Sequence, residues 1–239
     1  MSKHDKYTAP RERTNRNNAN DTAVPTANDQ IKKVTTLYEN NKSIISKVLL
    51  GVVLVIGAFM TWKYFFLAPK NKKANDAIFR TQLYFKMDSL DWVLNGDGNN
   101  KGALKIIKEF SGTAAANLAH YYAGIAYLKK GKFKEAESKL RDFDAKGTLL
   151  DANKYGALGD ACLEQNKIDN AIEYYTKASN DDKNDLMSPL YLERAAIACE
   201  MKGKTEEAIK NYQRLKADFP QSMQAQNVDR KLARLGITD

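Results

Sequence analysis

The residues of this 239-residue chain that could do chemistry are few and poorly spaced for it. Cys162 and Cys199 stand 37 positions apart, with no CxxC pair and no histidine beside them. A metal cluster or redox dithiol is therefore not expected. Each cysteine falls on the apolar side of a helical pattern, where a thiol acts as a small buried hydrophobe. His4 lies in a polar leader and His120 at a helix-packing position, so there is no histidine pair for zinc and no Ser/His/Asp set. Asn95, Asp97 and Asn99 alternate as at the start of a calcium loop. Asn100 stands where that loop needs its glycine, however, and Ile106 where it needs a bidentate glutamate. An interhelical loop is the expectation there. No P-loop is present, and no glycine fingerprint follows a strand. The reading is of a protein without catalytic centre, metal or cofactor.

The charge has a location as well as a sign. The chain carries a formal net charge of +9. Residues 1–73 hold 13 Lys and Arg against 5 Asp and Glu, whereas residues 74–239 hold 25 against 24. A nucleic-acid binder concentrates basic surface on the domain that makes the contacts. Here the excess flanks an apolar stretch, so nucleic acid is not an expected partner and anionic headgroups are nearer.

That stretch is Ile44 to Leu67, IISKVLLGVVLVIGAFMTWKYFFL, uncharged from Val48 to Trp62. As a helix its 24 residues cover about 36 Å, enough for a hydrocarbon core of about 30 Å. Lys47 and Lys63 can reach headgroups, and Trp62, Tyr64, Phe65 and Phe66 gather as aromatics do at an interface. With 43 residues before it and no A-x-A pattern after it, the segment reads as a retained signal anchor. Lys32, Lys33 and Lys42 on one side nearly balance Lys70, Lys72 and Lys73 on the other. The tail's further Lys3, Lys6, Arg11, Arg13 and Arg16 tip it toward the cytoplasm, which places the large domain outside.

Beyond Pro69 the pattern is helical. Phe79, Leu83, Met87, Leu90 and Leu94 form one stripe, which predicts a long helix over 74–95. Breakers follow at Gly112, Gly131, Gly147, Asn166, Gly203 and Pro220, and Ser188-Pro189 reads as an N-cap with proline in the first turn. An internal repeat orders these helices. Ala136, Ala171 and Ala208 begin matching second helices. Twelve residues before them stand Gly124, Gly159 and Ala196; nine before stand Tyr127, Cys162 and Cys199; four after stand Leu140, Tyr175 and Tyr212. Pro220 closes the last unit. A weaker unit centres on Ala103, with Leu94 and Ile107 in matching places but Asp91 where a small residue is expected. Ala225, Val228, Leu232 and Leu235 line a final helix stopped by Gly236, suited to capping a stack.

These small, aromatic and proline positions resemble the tetratricopeptide repeat, a helix-turn-helix unit. The expected fold is all-α: a disordered basic tail over 1–43 and a transmembrane anchor over 44–67, then a helical solenoid. The solenoid comprises a long helix with a degenerate repeat over 74–112, repeats over 113–147, 148–185 and 186–220, and a capping helix over 221–239.

A repeat solenoid acts through the face lined by its first helices. Projection onto that face gives Leu118, Tyr121, Ile125 and Leu128, then Asn153, Asp160 and Glu164, then Leu190, Glu193, Ile197 and Met201, with Trp92 from the degenerate unit. This apolar patch beside an acidic one suits an extended peptide or a partner's helix, unless the 74–95 helix packs across it. Of the cationic positions with which some tetratricopeptide domains clamp a C-terminal carboxylate, Arg194 alone is in place.

The order of tail, anchor, small repeat domain and capping helix is similar to that of the ancillary SecYEG translocon subunit family, YfgM-like proteins of the bacterial inner membrane. That resemblance implies a periplasmic repeat domain whose partners are the Sec translocon, periplasmic chaperones and exported clients. Two other readings use the same architecture: a structural scaffold of an envelope or division complex, and a cytosol-facing receptor.

Overall fold

The computed structural model describes residues 27–146, 150–180 and 185–238. The expected tail up to residue 26 and the breaker Gly147 lie outside these. The chain divides into two compact units, Met1–Met60 and Thr61–Asp239.

The helix α1, Ala27–Trp62, begins 17 residues before the expected start of the anchor at Ile44. Residues 27–43, expected as part of a disordered tail, are therefore helical. Nucleation is the costly step of helix formation, and adding turns to an existing helix costs little. The side chains that would compete for the backbone serve it instead. Thr35 Oγ1 donates to the Ile31 carbonyl at 2.9 Å, Thr36 Oγ1 to Lys32 at 2.6 Å and Asn41 Nδ2 to Leu37 at 2.9 Å. The apolar part of this helical stretch is long enough to cross a membrane, and none of it is buried.

After α1 come a π turn at Lys63–Leu67 and a succession of helices. They are α2 (Ala68–Lys86), α3 (Leu90–Asn95), α4 (Ala103–Glu109), α5 (Ala114–Lys129), α6 (Phe133–Asp142), α7 (Asp151–Glu164), α8 (Ile168–Ala178), α9 (Met187–Lys202), α10 (Thr205–Asp218) and α11 (Val228–Arg234). Among the described residues no strand forms. The one extended pairing is an isolated bridge between Gly96 and Lys101.

One turn recurs through the stack. Between α5 and α6 the Lys132 N–H donates to the Tyr127 carbonyl at 2.9 Å and the Gly131 N–H to Leu128 at 3.0 Å, the paired bonds of a Schellman motif around a left-handed residue. The same pair joins α7 to α8, from Lys167 to Cys162 and Asn166 to Leu163. It joins α9 to α10 as well, from Lys204 to Cys199 and Gly203 to Glu200. The lysine after each turn then accepts the first bond of the second helix, from Ala136, Ala171 and Ala208.

This turn also corrects the reading of residues 74–95 as one helix. Ser89 N–H donates to the Tyr84 carbonyl at 2.9 Å and Asp88 N–H to Phe85 at 3.1 Å, with Asp88 left-handed at φ 53°. A short polar side chain tolerates that conformation, so α2 ends at Lys86 and α3 is the second helix of its pair. The degenerate unit is therefore α2 with α3, and it does not centre on Ala103. Its turn lies 43 residues before that of α5/α6, against 35 and 37 between later turns. The excess is the Gly96–Lys101 excursion, after which α4 resumes; α3 and α4 both pack against α5. Glycine is required at both ends of the excursion. A Cβ on Gly96 would lie 2.0 Å from the Asn100 oxygen, and one on Gly102 would lie 2.3 Å from the Gly96 nitrogen.

The end caps follow from local chemistry. Thr113 Oγ1 caps α5 by accepting from the Ala116 N–H at 3.1 Å. Helix α9 starts at Met187, two residues earlier than an N-cap at Ser188 would give. Ser188 and Pro189 are thus buried within its first turn, where the missing N–H of proline costs nothing. At the far end Val228 and Leu232 of α11 bury against Tyr212, Leu215 and Phe219.

Candidate protein-binding surface

The scaffold beneath the surface rests on close helix crossings. Ala136, Ala171 and Ala208 are fully buried. A Cβ on Gly124 would sit 2.6 Å from Leu140 Cγ, and one on Gly159 would sit 2.4 Å from Tyr175 Cε1. Ala196 lies in one cluster with Tyr212. Tyr127 is half-buried and, like Cys162 and Cys199, offers its carbonyl to the turn. Both cysteines are buried free thiols, and burial pushes each up to about 11. Pro220 is exposed, just past the end of α10.

The first-helix face is not uniform. Leu118, Tyr121, Ile125 and Leu128 on α5 are half-buried. Tyr121, Ile125 and Leu128 pack toward Ala157 and Leu158 of α7, and the Tyr121 ring meets Phe143 at 5.3 Å. Helix α2 lies beside α5 as a first helix of its own, with Phe85 edge-on to Tyr122 at 5.1 Å. On α9 Leu190 is half-buried, while Ile197 and Met201 are 41% and 58% exposed. The open apolar surface thus lies at the α9 end.

The acidity expected of this face is largely taken up inside the stack. Asp160 accepts from the Tyr175 hydroxyl at 2.7 Å and pairs with Arg194. Burial, then the Asp160 charge, raises the Tyr175 phenol well above its usual range. Glu193 pairs with Lys231 of α11. Asn153 is half-buried and Glu164 exposed. Arg194, the residue in place for a carboxylate clamp, is thereby committed to Asp160.

Trp92 belongs to α3 and so does not line the first-helix face. It is 46% exposed and meets Tyr84 edge-on at 5.6 Å. In the register of the turns, α2 brings Ile78, Gln82 and Phe85 to the positions of Tyr121, Ile125 and Leu128. The signal for them was the Asp88-Ser89 pair, a helix stop followed by a polar start.

Elsewhere polar groups serve the fold. Tyr84 donates to Asp97 at 2.7 Å, and the Asn99 and Asn100 N–H groups donate to its other oxygen, closing the excursion on itself. His120 Nδ1 stands 3.8 Å from Asp142; burial lowers its proton affinity against the pull of that carboxylate. Among the described residues no group of three or more His, Cys, Asp or Glu is placed to hold a metal.

A family model described as a tetratricopeptide repeat-like domain matches residues 38–237. The chain belongs to the tetratricopeptide repeat-like domain family. No curated protein sequence matches it significantly. Membership makes the second unit a protein–protein interaction module of a generally non-catalytic kind. Its first-helix face is then the surface of interest, and the tetratricopeptide stack beneath holds that face through the Gly124, Gly159 and Ala196 crossings.

Proposed function

We propose that this chain is a membrane-anchored adaptor. On this reading residues 44–67 cross a bacterial inner membrane once, the repeats face the periplasm, and the α9 end of the first-helix face binds exported polypeptides or the chaperones that carry them near the translocon. The observation that supports it is the exposed pair Ile197 and Met201, one turn apart on α9 beside half-buried Leu190. Such a pair can take up an apolar segment transiently, without the large area of a permanent interface. Tyr121, Ile125 and Leu128 would supply the floor. Tethering by the anchor would raise the local concentration of the site at the membrane.

The test is a photoreactive residue at Ile197 in intact membranes. Crosslinks to several exported proteins, or to a translocon subunit, agree with the proposal, and their absence overturns it. One stoichiometric partner surviving purification would favour the scaffold reading. Two further measurements check the anchor and its orientation: retention in the membrane after alkaline extraction, and degradation of the repeat domain by protease added to spheroplasts.

A further inference from the structure

The stack is closed at one end and open at the other. In each later first helix, three residues four apart face the preceding helix pair. On α5 they are Tyr122, against the Phe85 ring, Ala126, fully buried, and Lys130, whose ammonium reaches Asp91 at 2.7 Å. On α7 the same register gives Ala157, Ala161 and Gln165, the last donating to Glu137 at 3.0 Å. On α9 it gives Arg194, Ala198 and Lys202, with Lys202 at 2.9 Å from Asp169.

The turn at Asp88 fixes the same register on α2, where these positions are Phe79, Leu83 and Met87. They are 62%, 39% and 57% exposed. A first helix at the end of a stack ordinarily turns a polar face outward. Here it presents three large apolar side chains, where the later first helices carry a buried alanine flanked mostly by polar residues.

The rim identifies what fits. Lys72, Arg80 and Lys86 border the stripe against one acid, Asp76, and none of the three is in an ion pair among the described residues. At two downstream junctions the cation at the end of this face is answered by an aspartate at the start of the preceding second helix, Asp91 for Lys130 and Asp169 for Lys202; on α2 that place is taken by Met87, and the charge stands on its neighbour Lys86. A second copy of the chain fits badly. Antiparallel packing about Leu83 would bring Arg80 of each copy against the other's Lys86.

We infer that the Phe79, Leu83 and Met87 face of α2 docks an amphipathic helix of another protein that carries Asp or Glu beside its apolar stripe, completing the open end of the stack as a preceding helix pair would. This rests on the reading of the second unit as a protein-binding module but does not depend on the α9 site.

The experiment uses the full chain in native membranes, with a photoreactive residue at Phe79 or Leu83 and the captured peptide mapped by mass spectrometry. The same helical, acid-flanked, non-self peptide should appear from both positions and fall at least fivefold in Arg80→Glu/Lys86→Glu. A synthetic copy of the mapped peptide should bind the purified chain in detergent and lose at least tenfold affinity to that double variant. Both residues are exposed, so an unchanged thermal melt separates this loss from misfolding. A self peptide, a lipid adduct, a product indifferent to the charge reversal, or no product overturns the inference. Parallel crosslinking from Ile197 keeps the two sites apart, since either can fail while the other holds.

Discussion

The Tyr175 ring occupies the space that a side chain at Gly159 would need, with Cε1 2.4 Å from where the Cβ would stand. The ring has nowhere to go. Its hydroxyl is bonded to Asp160 at 2.7 Å, and it stacks on Tyr191 with 6.4 Å between centroids.

Gly159→Ala should therefore destabilise the repeat domain by about 1–2 kcal/mol: an overpacking cost in the upper part of its usual range, about 2–3 kcal/mol because the ring is held, reduced by about 1 kcal/mol of helix propensity. The melting temperature should fall by roughly 3–6 °C. Gly124→Ala should cost less, because the atoms it meets are Leu140 Cγ and Cδ2, the end of a side chain that can rotate. Thermal melts of the two variants side by side check the ranking.

Glu137 ties α6 to the next unit, with Lys167 at 2.8 Å, Gln165 at 3.0 Å and Arg141 at 2.7 Å, and its side chain is 10% exposed. Burial alone would raise its carboxyl, but the bonds from Lys167 and Gln165 and the neighbouring cations outweigh that and hold it below its ordinary 4.5. A depressed folded value contributes stability above the ordinary range that disappears as pH falls through the folded value. Glu137→Gln should cost about 1–2 kcal/mol at pH 7, since Lys167 and Arg141 are half-exposed and rehydrate. The difference from the parent should shrink toward acid pH. Urea titrations at pH 7 and in the acid range measure both.

With their thiols near 11, Cys162 and Cys199 carry about a hundredth of the thiolate of an ordinary cysteine at pH 8. Iodoacetamide should leave both unlabelled in the folded domain and label both in denaturant. Intact-mass analysis reads the outcome, and rapid labelling of either site in the native protein would contradict its placement in the core.

Asn166 holds a left-handed conformation at φ 58° in the turn where Gly131 and Gly203 stand in the neighbouring units. Asn166→Gly should stabilise the domain by about 0.5 kcal/mol, relief of the left-handed strain slightly exceeding the added entropy of the unfolded chain. A rise of about 1–2 °C in the melt is the expected result.

The parts of this fold that were legible in the sequence are those with a fixed interval. Ala136, Ala171 and Ala208 recur at 35 and 37 residues, so the later pairs and their crossings could be placed by counting. The first helix pair, α2 with α3, could not. The Gly96–Lys101 excursion breaks the interval, and the apolar stripe running from Phe79 to Leu94 passes over a turn made by backbone bonds at Asp88 and Ser89. Two binding expectations shifted for related reasons. Trp92 moved to a second helix with that turn. The acidic patch dissolved because Asp160 and Glu193 meet Arg194 and Lys231, partners 34 and 38 residues away, which a single-helix projection does not see. The start of α1 at Ala27 lies earlier than the sequence suggests, because between the tail and the anchor only Ile31 to Tyr38 hints at a helical turn and polar residues separate it from Ile44.

The excursion between Gly96 and Lys101 enters and leaves the helix layer at adjacent backbone positions, and Tyr84 pins it through Asp97. The length of a unit is consequently free to vary where such a clasp can close, while the stacking of its neighbours is left undisturbed. Among the described residues such a clasp is seen in the α2/α3 pair alone, and it lets that pair be longer than the later ones while α3 and α4 both still pack against α5.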